Sequence, residues 1–196
     1  MIRQEINDFS QNWLRKAENI TGNDLQDHFD KFFTLYVVYN RLYVEATYRL
    51  ANNGHIKLGS TFPDRKASIN YTVQYLTCKK IDALFQNDKV VLKAIDDLKK
   101  IIEKNQFNIK LHLVTAQPQP DKDADLLKRM KSSSTDIRIC GIVEFIYSIR
   151  CNIFHAQKSY NGRQKKVLRP TIIILNKIIE ILFQELNNGQ KTIANN

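Results

Sequence analysis

The stretch Ile139-Cys-Gly-Ile-Val-Glu-Phe-Ile-Tyr-Ser-Ile-Arg150-Cys-Asn-Ile-Phe-His155 decides the fold. Ile139, Ile142, Ile146, Ile149 and Ile153 recur at steps of three or four, which at about 100° per residue makes one apolar stripe of a helix facing a core. Polar groups collect at the far end of that helix: Tyr147, Arg150, Asn152 and His155. Five residues turn a straight helix by about 140°, so Arg150 and His155 do not aim at one atom from a single helix. Either the helix breaks near Phe154, or a second copy completes the site in a symmetric homodimer.

The rest of the chain reads as further helices around this one. Ile6, Phe9, Trp13, Leu14 and Ala17 outline a first amphipathic helix that ends near Thr21-Gly22, and Asn23 or Asp24 can cap the next. From Leu25 through Phe29, Phe32, Phe33, Tyr36, Val37, Tyr43, Val44 and Thr47 to Leu50, one face runs on for about seven turns. This long helix is expected to pack beside the motif helix. On its other side Arg41, Glu45 and Arg49 have ion-pair spacing. Thr61-Phe-Pro63-Asp64 reads as a helix start, as does Asp88, which leads a face of Val91, Ile95, Leu98 and Ile102. Phe107, Ile109, Leu111 and Leu113 alternate with polar residues and predict one short strand. After a Gln117-Pro-Gln-Pro120 loop, residues 121–131 suit a small helix, and Ser132 to Thr135 supply a connector and cap. Pro170 suits the first turn of a last helix, whose apolar face, from Ile172 through Leu186, is unusually wide. Such a helix is either central in a bundle or shared with a subunit partner. The polar stretch from Asn187 onward reads as a tail.

Composition sets the class. A chain of 196 residues with 43% hydrophobic content, six Gly and four Pro fits one ordered domain. No run approaches the length of a membrane span, and the first residues lack a signal-peptide core, so the protein reads as cytoplasmic. Three cysteines without a Cys-x-x-Cys pair imply neither a disulfide framework nor a zinc ribbon. The four histidines share no metal-ligand spacing, and there is no phosphate-binding Gly-rich loop, so no cofactor is implied. The net charge of +10 is uneven: residues 127–196 hold twelve Lys and Arg against four Asp and Glu. Directly after the motif come Lys158, Arg163, Lys165, Lys166 and Arg169 with no acid among them. Such a run favours a polyanion, with RNA the leading candidate partner, through attraction to phosphates and release of their counterions.

Arg150-Cys-Asn-Ile-Phe-His155, placed at the end of an apolar helix and flanked by two more, resembles the defining Arg-x4-His motif of the HEPN superfamily. That resemblance implies an all-α fold, a single helical bundle over residues 1–187 with 188–196 as a flexible tail, and the strand as an accessory. It also implies metal-independent endoribonuclease activity, in which the ribose 2′-OH attacks the neighbouring phosphate, in the manner of a toxin or antiviral defence effector. Cys151 stands where many members carry a polar residue. Gln157 stands where the branch regulated by a nucleotidyltransferase partner carries Tyr, so the chain is not assigned to that branch.

The residue types suit the implied reaction. His155 exchanges protons near neutral pH as general base or acid, and Arg150 can grip two phosphate oxygens and stabilise charge that builds in the transition state. Asn152 can position the 2′-OH or the phosphate. Lys158, Arg163, Lys165 and Lys166 would bind RNA, and Tyr147 would stack on a base or pack. The competing reading is a catalytically silent module that binds RNA, a nucleotide or a regulatory protein partner.

Overall fold

Asp24 starts the longest helix among the described residues, five positions after Asn19 closes the first. The Asp24 carboxylate accepts the Asp27 N–H at 2.8 Å, and the Asp27 carboxylate accepts the Asp24 N–H at 2.9 Å. This reciprocal cap satisfies two of the amide donors that every helix start leaves over. Gly22 leaves room for it, because a Cβ there would collide with the Asp27 carboxylate.

The computed structural model describes residues 2–112, 114–154 and 163–188. In order it contains α1 (Gln4–Glu18), α2 (Leu25–Asn52), α3 (Asp64–Lys66), a π-helical turn (Ala67–Tyr71), α4 (Thr72–Leu76) and α5 (Cys78–Gln86). Then follow α6 (Lys89–Glu103), α7 (Pro120–Met130), α8 (Thr135–Phe154) and α9 (Arg163–Asn188). The fold is all-α. Among the described residues no helix is long and apolar enough to cross a membrane.

The core lies between α2 and α9. Helix α2 buries Leu35, Tyr36, Val38, Tyr39, Leu42, Tyr43 and Ala46, a broader face than one stripe, because α1, α9 and the π turn all pack on it. Phe33, expected on the buried face, is 41% exposed. The wide apolar surface of α9 is used within the chain: Ile174, Leu175, Ile178, Ile179, Ile181 and Leu182 are buried, and the helix packs on α2, α6 and α4. Helix α8 is not the main neighbour of α2. It beds on α7, α5 and the π turn instead.

Two local expectations are corrected. The alternating residues 107–112 form no strand, and Leu113 lies outside the described residues. The segment makes one isolated bridge, Leu111 with Pro118, and its amides pair mainly with a side chain. The buried Asp123 carboxylate of α7 accepts the N–H of Ile109 at 2.9 Å and of Lys110 at 2.7 Å. Backbone donors must be paired when buried, and a helix carboxylate does here what a partner strand would do. The last helix starts at Arg163, so Pro170 falls inside it. Val167 and Leu168 are buried ahead of the proline, and their packing extends the helix backward despite the missing amide.

Asp123→Ala leaves the buried Ile109 amide and the half-buried Lys110 amide without their acceptor and should destabilise the fold by about 2–4 kcal/mol. Asp121→Ala, on the exposed side of the same helix end, should stay within about 0.5 kcal/mol of wild type. Urea denaturation of both variants measures the difference.

Candidate functional site

The polar end of α8 meets a row of tyrosines on α2. Tyr36, Tyr39 and Tyr43 recur at helical spacing and touch edge to face, with ring centroids 5.6 Å and 5.2 Å apart. Their hydroxyls reach into the helical run that starts at Asp64. Tyr36 contacts the Ser68 Oγ at 3.3 Å, Tyr39 donates to the Ser68 carbonyl, and Tyr43 donates to the Asp64 Oδ1 at 2.5 Å. Burial pushes the Tyr36 and Tyr43 phenols well above their ordinary range and the Tyr39 phenol up to about 12. They are neutral hydroxyls at physiological pH.

Arg150 lies over this row. Its guanidinium carbon is 5.7 Å from the centre of the Tyr36 ring and 5.8 Å from that of Tyr147, both in the cation–π range. Its Nη1 is 3.8 Å from the Asp64 Oδ2, and 21% of its side-chain surface meets solvent. The Tyr147 hydroxyl donates to the same Asp64 oxygen at 3.4 Å. Burial raises the Tyr147 phenol to about 12, so it too donates rather than takes a proton. Tyr147 and Arg150 are therefore brought together, with Tyr147 supporting the arginine from the side.

Asn152 is placed elsewhere. It is buried, and its amide donates to the Ile109 carbonyl at 2.9 Å, which ties the extended segment to α8. That bond gives its amide nitrogen a structural task. His155 and Lys158 lie outside the described residues, as does the side chain of Arg163. Lys165 and Lys166 sit at the start of α9 against α6, and the Lys165 ammonium donates to the Asn23 carbonyl in the connection between α1 and α2.

One turn and a half before Arg150 the same helix carries a charge that the isoleucine pattern conceals. Glu144 is buried, with 9% of its side chain exposed, and takes three cations. Arg65 reaches its Oε1 at 2.8 Å, Lys110 reaches the same oxygen at 2.6 Å, and Arg129 reaches the Oε2 at 2.5 Å. Lys110 also donates to the Ser148 Oγ at 2.9 Å. Gly141 lets α7 come this close, since a Cβ there would stand 3.1 Å from the Met130 nitrogen and 3.2 Å from the Arg129 Cβ. Burial alone would raise the Glu144 carboxyl; hydrogen bonds from Arg129 and Lys110 outweigh it and hold the group down to about 2.

Asp64, Arg65, Glu144 and Lys110 were not singled out from the sequence. For Glu144 a signal existed, a lone acid between Ile142 and Ile146 on a core helix. For the others none did, because their roles depend on contacts between segments far apart in the chain. On the other side of α2 the expected pair of Glu45 and Arg49 forms at 3.1 Å, and Arg3 adds a second contact at 3.1 Å.

No family model, no curated protein and no solved structure matches this chain. The site is therefore read from its own chemistry: a half-buried arginine held by two rings and a carboxylate, beside a cluster of three cations on one buried acid.

At neutral pH Glu144→Gln should cost about 3–5 kcal/mol, the usual penalty for breaking a buried ion cluster. Because the folded-state carboxyl is depressed, its stabilisation is complete above the ordinary value of 4.5 and is lost as pH falls from there towards about 2. Wild type and variant should converge by the lower value. Urea midpoints between pH 7 and pH 2 test this, and a gap that persists unchanged at pH 2 would rule out the ion cluster as its cause.

Proposed function

We propose that the end of α8 and the residues after it form the active face of a metal-independent endoribonuclease of the HEPN type. The observation that carries this reading is the setting of Arg150, held between the Tyr36 and Tyr147 rings, with Asp64 at 3.8 Å and part of its surface in solvent. Rings hold a guanidinium by its plane, the arrangement in which the in-plane N–H donors can be directed at the oxygens of a phosphate. Arg150 is the first residue of the Arg-x4-His motif, so the second reacting group, His155, follows within the same short segment.

In this reaction the ribose 2′-oxygen forms a bond to phosphorus while the bond from phosphorus to the 5′-oxygen breaks. A base takes the 2′ proton and an acid gives one to the leaving oxygen. His155 supplies one of these proton transfers. A second copy of the motif, facing the first across a symmetric homodimer, supplies the other. Arg150 stabilises the charge on the non-bridging oxygens. The products are a 2′,3′-cyclic phosphate and a 5′-hydroxyl. Lys158, Arg163, Lys165 and Lys166 add phosphate attraction without taking part in bond changes.

A second reading, a module that binds without cleaving, is favoured by one observation. The buried amide of Asn152 is bonded to the Ile109 carbonyl, which leaves the motif with one polar group fewer to position a substrate.

Incubation of the purified protein with single-stranded RNA in EDTA separates the two. The wild type should yield 2′,3′-cyclic phosphate ends, His155→Ala should lower the rate by about 10²–10⁴, and Arg150→Ala by about 10²–10³. Binding of RNA by His155→Ala should be nearly unchanged. Wild-type protein that binds RNA and leaves no cyclic phosphate would defeat the nuclease reading. Sedimentation showing only monomer at roughly tens of micromolar, where a weak interface still registers, would defeat the dimer.

A further inference from the structure

Away from the Arg150 cluster, α6 and the start of α9 enclose a groove of about 760 Å³. Its floor is apolar: Val90, Ala94 and Ile101 from α6 face Pro170 and Ile173 from α9. Its walls are cationic, with Lys93, Lys100 and Lys104 on one side and Lys165, Lys166 and Arg169 on the other. One carboxylate, Asp97, lies among these six cations, and it is bonded to Lys93 at 2.8 Å. Among the described residues no carboxylate comes within 4.0 Å of the charged groups of Lys100, Lys104, Lys166 or Arg169. Val90 is 62% exposed, so the apolar lining reaches the surface. Lys93 to Lys104 spans eleven residues, about 16 Å of helix or three turns.

We propose that this groove docks an acidic amphipathic helix of a partner protein, which lays its apolar face on the floor and its carboxylates against the two cationic walls. An apolar floor with a charged rim is the plan of a protein interface, and a channel between two helices accepts a third through anchors at helical spacing. Charge identifies the occupant. Six cations against one paired acid favour a segment rich in Asp and Glu, and a second copy of this chain is disfavoured because it would bring a net charge of +10 to a cationic rim. A single strand of RNA fits less well, since none of the groove-lining residues is aromatic and bases need such platforms to stack on. Lys165 and Lys166 belong both to this groove and to the proposed RNA-binding set, so a docked acidic helix covers part of the surface that RNA would use. The partner thereby regulates access to RNA. Docking itself does not depend on cleavage.

Fluorescence anisotropy with three probes tests the proposal on the full chain. The first probe is a labelled fourteen-residue peptide with Leu at positions i, i+3, i+4 and i+7 and Glu elsewhere, the second is the same composition in scrambled order, and the third is a uridine dodecamer. The amphipathic peptide should bind at least about tenfold more tightly than the scrambled one, a difference of about 1.4 kcal/mol. Val90→Asp, at an exposed position that tolerates the change, should weaken the amphipathic peptide about tenfold and leave the dodecamer unaffected. The double variant Lys100→Gln, Lys104→Gln should weaken the peptide and make its binding less sensitive to added salt, because fewer ionic contacts remain to be screened. Peptide binding should also slow hydrogen exchange in residues 90–104 and 165–173, which locates the contact independently of any variant. Equal binding of the two peptides, or no effect of Val90→Asp, would overturn the proposal in favour of simple charge attraction. Loss of dodecamer binding in Val90→Asp with no peptide binding would assign the groove to nucleic acid. Failure of RNA cleavage alone leaves the peptide result standing, so the two readings fail separately.

Discussion

A single buried carboxylate holds the middle of this molecule in register. Taking Glu144 out of water costs several kcal/mol, and only cations delivered from other segments offset it. Arg65 comes from α3, Lys110 from the extended segment and Arg129 from α7. Four pieces of chain must therefore be correctly placed at once. An isoleucine could occupy the same position on the helix, yet an apolar contact is tolerant of sliding and a buried charge is not. Position 144 is where the structure trades tolerance for a defined geometry.

That geometry reaches the arginine through one covalent link. Arg65, which meets Glu144 at 2.8 Å, is the immediate neighbour of Asp64, which meets Arg150 at 3.8 Å. The start of α3 is thus anchored on α8 at two heights, one turn and a half apart. Tyr43 and Tyr147 add hydroxyl bonds to the same aspartate. Arg150 is positioned by groups that are themselves pinned, which is how a long flexible side chain can present one orientation to a ligand. Beyond the motif, Lys165, Lys166 and Arg169 line the groove against α6.

Periodicity made most of the helices legible, and the reasons for the failures are physical. Spacing locates α1, α2, α6, α8 and the later part of α9 because each has an apolar face with a 3.6-residue repeat. In residues 107–112 the period-two pattern is borne out at Ile109 alone, which is buried, while Phe107 and Leu111 are half-buried like the polar Asn108 and Lys110. What periodicity does not reveal is the identity of the hydrogen-bond partner, and Asp123 supplies it from a helix fourteen residues away. Pro170 marks a helix start by local preference, but packing of Val167 and Leu168 overrides it. In the site, Arg150 and Tyr147 were legible as polar groups at a helix end. Asp64 was not, because nothing near Pro63 in sequence points to residues more than eighty positions later. Asn152 was visible, and its amide turned out to be needed by the backbone.

The pairing of α2 with α9 has a consequence for how the chain is made. The helices that form the centre of the bundle lie near opposite ends of the sequence, residues 25–52 and 163–188. Segments between them make mostly nearer contacts, α7 with α8 and α5 with α6 among them. Contacts across more than a hundred residues form slowly because a long loop must close first. During synthesis α2 is finished long before α9 exists, so the part of its apolar face that α9 covers stays open while the ribosome adds the rest, although α1 and the π turn can pack on α2 early. The core closes last, when α9 is complete and can pack on α2.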